Sequence, residues 1–142
     1  MKVGIVGAEA AKFTTDGEAQ ARELIRLLLD PGDICVSGGC HLGGVDIWAE
    51  EEARALGLEV IVYPPATLSW ESGYKPRNIQ IAEACETLCC IVVDAYPPHY
   101  TGMRFNLCYH CKRRDHIKSG GCWTGKYANR LGKPWHTFIV TQ

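Results

Sequence analysis

Cys108, Cys111, His116 and Cys122 are the side chains whose types and spacing could do chemistry most directly. They read C-x2-C-x4-H-x5-C. Zinc favours four tetrahedral nitrogen and sulfur ligands, and a CxxC turn offers two thiolates on one side of the ion. Four ligands close the coordination sphere, so the expected metal is structural zinc; a catalytic ion would need one position left open. His110 is the alternative to His116, and Cys122 lies at the edge of a glycine segment as well. Lys112, Arg113 and Arg114 beside Tyr109 add the mixture of cations and aromatic rings used by single-strand binders.

A second stretch with chemical content is Val36-Ser37-Gly38-Gly39-Cys40-His41-Leu42-Gly43-Gly44-Val45-Asp46. An apolar run leads into it and a helix-patterned run leaves it. Glycines let the chain turn sharply and approach a ligand closely. The following helix points unpaired N–H groups and the positive end of its dipole into the same space. The stretch is therefore a phosphate or carboxylate cradle, or else simply a tight strand-to-helix turn. It matches neither GxGxxG nor GxxxxGK[ST].

These segments need a frame. Short β-branched runs at Lys2–Val6, Ile34–Val36, Glu59–Tyr63, Leu88–Val93 and Trp135–Val140 read as strands. Between them lie helical patterns: one ending near Leu29, then Ile47–Leu56, Arg77–Glu86, and a last one within Ser119–Leu131. Thr15 with Glu18 reads as a capping box at the first helix start. The continuous apolar run Leu88–Val93 marks a strand covered on both faces. Alternation of this kind predicts an α/β fold: one Rossmann-like, doubly wound, mainly parallel five-stranded sheet with helices on both faces. Residues 1–142 are expected to form one domain. Ligands on such sheets lie at the carboxyl ends of the strands, which here carry the loops Gly7–Thr14, Ser37–Val45, Pro64–Arg77 and Ala95–Gly121. Residues 95–122 form a Cys/His-rich insertion without periodicity, and a long unstructured stretch in a compact domain calls for something to order it.

The chain has 142 residues, 46% apolar and 22% charged, with a formal net charge of -1. That balance argues against a large basic surface for duplex DNA and leaves room for a local patch. No apolar run is long enough to span a membrane and no signal-peptide pattern opens the chain, so the expected location is cytoplasmic. In a reducing compartment eight cysteines point to metal ligands or core residues rather than disulfides. Cys35, Cys85, Cys89 and Cys90 lie in or beside apolar runs and read as core.

Three segments, in order, resemble the SLOG superfamily, which includes the Smf/DprA DNA-processing proteins and the LOG (lonely guy) nucleotide hydrolases. Ser37-Gly38-Gly39 through Gly44-Val45-Asp46 is similar to its first glycine motif. Arg77-Asn78-Ile79-Gln80-Ile81-Ala82 resembles the RNxxIA segment of DprA and the RKxxM segment of LOG. Ser119-Gly120-Gly121-Cys122-Trp123-Thr124 resembles the DprA SGS/SGT segment and lies where LOG proteins carry PGGxGTxxE. The resemblance implies a bound nucleotide, nucleotide derivative or single-stranded nucleic acid end. Gly38, Gly39, Gly43 and Gly44 would line the phosphate side, and Arg77 would donate to phosphate or ribose. Gly120, Gly121 and Thr124 would form a second donor nest, with Gly7, Ser37, Asn78 and Ser119 as neighbouring ligand contacts. Asp46 would accept from a ribose hydroxyl or else stabilise its own helix start. A homodimer is also implied.

One position departs from the pattern. The alignment puts Tyr127 where LOG hydrolases carry their catalytic glutamate, and a neutral tyrosine cannot act as that carboxylate. Nucleotide binding with a structural zinc is thus the leading expectation. The alternatives are hydrolysis of a nucleoside monophosphate, for which Glu9, Asp46 and Asp94 are the available carboxylates, and DprA-like binding of single-stranded nucleic acid.

Overall fold

The computed structural model describes residues 1–142. Five strands, β1 (Lys2–Gly7), β2 (Ile34–Ser37), β3 (Glu59–Val62), β4 (Thr87–Val93) and β5 (Trp135–Val140), form one parallel sheet in the order β3-β2-β1-β4-β5. The helices are α1 (Thr15–Leu28), α2 (Val45–Ala55), α3 (Lys75–Ala84) and α4 (Gly121–Arg130). The chain builds outward from β1 in one direction through β2 and β3, then crosses back to β4 and on to β5. Right-handed crossovers therefore send α1 and α2 to one face and α3 and α4 to the other. The two cores confirm the division. Ala21 and Ile25 of α1 pack with Trp48, Ala49 and Ala53 of α2 on one side, and Ile81 and Ala82 of α3 with Cys122 and Ala128 of α4 on the other.

The doubly wound α/β architecture read from the sequence is the one observed. β4 shows why its sequence does not alternate: Cys89, Ile91 and Val93 face the first core, and Leu88, Cys90 and Val92 the second. Cys35, Cys85, Cys89 and Cys90 are all buried, and desolvation pushes the Cys35 and Cys89 thiols up to about 12 and about 11. These sulfurs are packing groups. No helix is long and apolar enough to cross a membrane.

Two local expectations shift. Thr14, not Thr15, caps α1: it has extended backbone, and its Oγ1 accepts from the Gly17 N–H at 2.9 Å. Glu18, one position too late for the capping box, instead pairs with Arg22 at 3.0 Å. α3 starts earlier than expected, at Lys75, because the supposedly irregular segment before it winds into a π-helical turn, Trp70–Tyr74, capped by Ser69. Pro76 is tolerated there because a first-turn N–H has no helical partner to lose.

The glycine stretch after β2 joins the sheet through Gly44. Its φ of 88° and ψ of -148° belong to a region that only glycine occupies cheaply. A Cβ there would also lie 2.4 Å from the Ala8 carbonyl oxygen and 2.6 Å from the Ala10 nitrogen. That close approach lets the Val45 N–H reach Ala8 at 3.1 Å, which locks the loops after β1 and β2 together. Strain and overpacking together cost about 3 kcal/mol, so Gly44→Ala is expected to lower the melting temperature by roughly 10 °C in a thermal scan.

Candidate functional site: a cavity walled by a cysteine-histidine cluster

β1 and β4 are neighbours whose following segments leave in opposite directions, and the crevice at such a switch point is the usual ligand site of a doubly wound sheet. Here it opens into a cavity of 480 Å³. All four loops at the carboxyl ends contribute. Gly7, Glu9 and Lys12 come from the first, Cys40 and Leu42 from the second, Trp70 and Tyr74 from the third, and Tyr109, His110 and Lys118 from the fourth.

Of the residues singled out by sequence, Gly7, Asp46, Arg77, Asn78, Gly120, Gly121 and Thr124 line this cavity. Ser37, Gly38, Gly39, Gly43, Gly44 and Ser119 lie behind them. Ser37 Oγ donates to Glu50 at 2.7 Å, Gly39 and Gly43 take positive φ in the turn, and Ser119 Oγ accepts from the Gly121 N–H at 3.2 Å. The cradle is therefore made less by the first glycine stretch than by the start of α4, where Gly121 packs so tightly that a Cβ would meet Cys90 Sγ at 2.7 Å.

Arg77 is only 7% exposed, and its guanidinium already has work. It donates to the Gly38 carbonyl and to Asn78 Oδ1, stands 3.8 Å from Asp46, and lies over the Tyr74 ring. It braces α3 against the glycine loop as well as facing the cavity. Asp46 is equally buried and accepts from the backbone N–H groups of Cys40 and Gly7. Desolvation outweighs its attraction to Arg77 and those N–H bonds and raises its carboxyl to about 6. A carboxyl whose folded value lies above its unfolded value holds its proton longer in the native state, so native stability falls as pH rises from about 4 to about 6 and is level above that. The difference in urea midpoint between the parent and Asp46→Asn, followed from pH 4 to pH 7, is expected to change across that window and nowhere else.

Lys12 belongs to no sequence motif and merely interrupts a run of small residues. It is 7% exposed, and its Nζ donates to the Lys118 carbonyl at 3.0 Å. No carboxylate lies within 4.0 Å of it, in contrast to Arg22, Arg26 and Arg54 on the far side of the sheet. Burial lowers its pKa, opposed chiefly by Glu9. An ammonium with donors to spare, lining a cavity beside a helix start, has the chemistry to receive an anion. Among the candidate carboxylates, Glu9 lines the same cavity, whereas Asp94 is outside it and accepts from the backbone of Gln142 at 3.0 Å.

The fourth wall carries the cysteines. The ligating atoms of Cys108, Cys111, His116 and Cys122 all lie within 4.8 Å of one another. Tetrahedral thiolate ligation at about 2.3 Å from the ion sets sulfur separations of about 3.8 Å. His116 Nε2 stands 3.2 Å from Cys111 Sγ and 3.9 Å from Cys122 Sγ. Its other nitrogen, Nδ1, lies 2.7 Å from the Ile117 carbonyl, the partner that fixes a ligating imidazole in the Nε2-binding form. Geometry thus decides between the two histidines: His116 joins the cluster, and His110 faces the cavity. A hydrogen bond from Cys122 and backbone groups of Ser119, Cys111 and His110 hold the Cys108 thiol far below its usual range, to about 4, while Cys122 is pushed up by the same contact. The group can hold a metal ion.

Tyr127 does not enter the cavity. It stacks on Trp123 with centroids 5.6 Å apart and rings inclined by 15°, partly buried against the second core.

No family model and no curated protein matches the chain. Among solved structures it is similar to the molybdenum cofactor carrier protein MCP from Chlamydomonas reinhardtii, with a TM-score of 0.61 at 17% sequence identity, over 99% of this chain and 77% of that one. The likeness is one of fold.

Proposed function

We propose that this chain is a SLOG-type, Rossmann-like domain that binds a nucleotide or nucleotide-derived small molecule in the 480 Å³ cavity, with a structural zinc on Cys108, Cys111, His116 and Cys122. The observation that carries the reading is Lys12, a buried cation without a carboxylate partner, facing the start of α4. Gly120, where an added Cβ would meet nothing within 4 Å, leaves room for an anion at that helix terminus. Trp70, Tyr74 and Tyr109 supply apolar and aromatic faces for a ring, and the volume falls in the range of small-molecule sites. The fold neighbour's description as a cofactor carrier favours binding over turnover.

The zinc would close the wall. Tyr109 and His110 lie between its first two ligands, and Lys118, Gly120 and Gly121 between its last two. Zinc there would supply fixed geometry, since four protein ligands leave no position for a substrate.

Glu9 supports a second reading. It is a carboxylate in the same cavity with no hydrogen-bonded partner, so hydrolysis of a nucleoside monophosphate would fall to it rather than to Tyr127. The experiment is native mass spectrometry of the protein as purified, against its denatured mass, followed by calorimetric titration with nucleoside monophosphates. An excess of one zinc plus a nucleotide-sized adduct is expected, and the native mass also tests the implied homodimer. Release of free base from a monophosphate, abolished in Glu9→Gln, would replace binding with catalysis. Absence of both adduct and titration signal would sink the nucleotide reading.

A further inference from the structure

The cavity does not end at Tyr109 and His110. On their far side a cleft of 200 Å³ is lined by the same two residues together with Trp123, Lys126, Tyr127 and Arg130. The last four recur at i, i+3, i+4 and i+7 and so share one face of α4. A solvated helix face would show polar residues in dispersed rotamers. This one shows two parallel aromatic rings, with Trp70 of the main cavity standing edge-on to Trp123 at 5.1 Å. The aromatic surface is thus continuous from one space to the other.

Charge follows the same line. Lys12, Lys118, Lys126 and Arg130 have no carboxylate within 4.0 Å, although acidic and basic residues nearly balance in the chain. Two of these cations border the cavity and two the cleft. The partition between them, Tyr109-His110, is the interior of the CxxC turn. The cleft is less than half the size of the cavity, room for a ring or a phosphate group but not for a second complete nucleotide.

We infer that the cleft is a second subsite, and that the ligand is a molecule of two nucleoside units joined through phosphate, one unit in the cavity and the ring of the other against Trp123 and Tyr127. The linking phosphate passes over Tyr109-His110 within reach of Lys118, and Lys126 and Arg130 attract its charge from the cleft side. This assigns a role to the departure at Tyr127: where a hydrolase would place an acid, this chain has half of a stacking platform. The inference rests on the nucleotide reading of the cavity.

The test is affinity by calorimetry for four probes: AMP, the phosphodiester pApA, diadenosine pyrophosphate, and 5′-phosphorylated dA10. One of the two dinucleotides is expected to bind about tenfold or more tightly than AMP, the range that stacking one base provides, and which of them gains identifies the linkage. Tyr127→Ala is expected to remove that gain and leave AMP binding unchanged. Lys126→Glu, which alters an exposed side chain, repeats the test without touching packing. Equal affinity for AMP and both dinucleotides overturns the subsite while leaving the nucleotide reading intact. Failure of all four probes overturns both. If dA10 far exceeds either dinucleotide and its affinity falls steeply with salt, the surface is a polynucleotide track and the two-unit ligand is wrong.

Discussion

Cys111→Ser is expected to strip the metal and lower the melting temperature by about 13 °C. As an isolated half-exposed cysteine, it would be close to neutral, since surface substitutions usually change stability by less than about 0.5 kcal/mol. As one of four ligands it completes the coordination sphere. A metal present at a thousand times its dissociation constant stabilises the native state by about 4 kcal/mol, which for a chain of this size is about 13 °C. The sheet should survive, because its two cores do not depend on residues 95–118 for most of their contacts. The loss should therefore be confined to the cavity wall. Ligand affinity should fall along with the metal, and cold spectra in the far ultraviolet should change little. Zinc added to the parent after chelation should restore both; the serine variant should recover neither. A variant that keeps its zinc would remove Cys111 from the coordination sphere.

Lys12→Met is expected to move affinity and stability in opposite directions. Truncating one partner of a buried, hydrogen-bonded charge pair costs about 2 to 5 kcal/mol of binding, so affinity for an anionic ligand should drop roughly 30-fold or more. The ligand-free protein should be as stable as the parent or more so by about 1 kcal/mol, because a buried ammonium without a counter-charge is a desolvation cost and methionine has nearly the same length. The Lys118 carbonyl loses its donor, but Lys118 lines the cavity, from which water can replace it. Chemical unfolding and titration of one sample give both numbers. A fall in stability with unchanged affinity would make Lys12 a structural tie between the first loop and the cysteine segment, and would remove the main support for an anion in the cavity.

These expectations draw on information of two kinds. The order of strands and helices could be read from the amino-acid sequence, because each depends on local periodicity and local turn residues. The loops that face the site could be read as well: parallel strands oblige every second connection to emerge at the same edge, and all four loops named from topology do line the cavity. The four side chains that can hold a metal ion were legible for a similar reason, since sulfur and imidazole at short spacing have few other uses.

Pairing in space was not legible. Thr14 and Thr15 offer the same hydroxyl, and only the backbone angle at the helix start selects one as the cap. His110 and His116 are equivalent as letters; the Ile117 carbonyl at Nδ1 selects His116. Arg77 reads as a free phosphate donor until Gly38, Asn78 and Asp46 are seen to occupy it. Lys12 reads as an ordinary surface lysine, and it becomes the central charge of the site only because the cysteine segment, more than a hundred residues later, folds over it. Local propensity fixes what each segment is. Which groups are buried together, and which are left with bonds to make, is decided by packing between segments distant in the chain, and that is where this site acquires its chemistry.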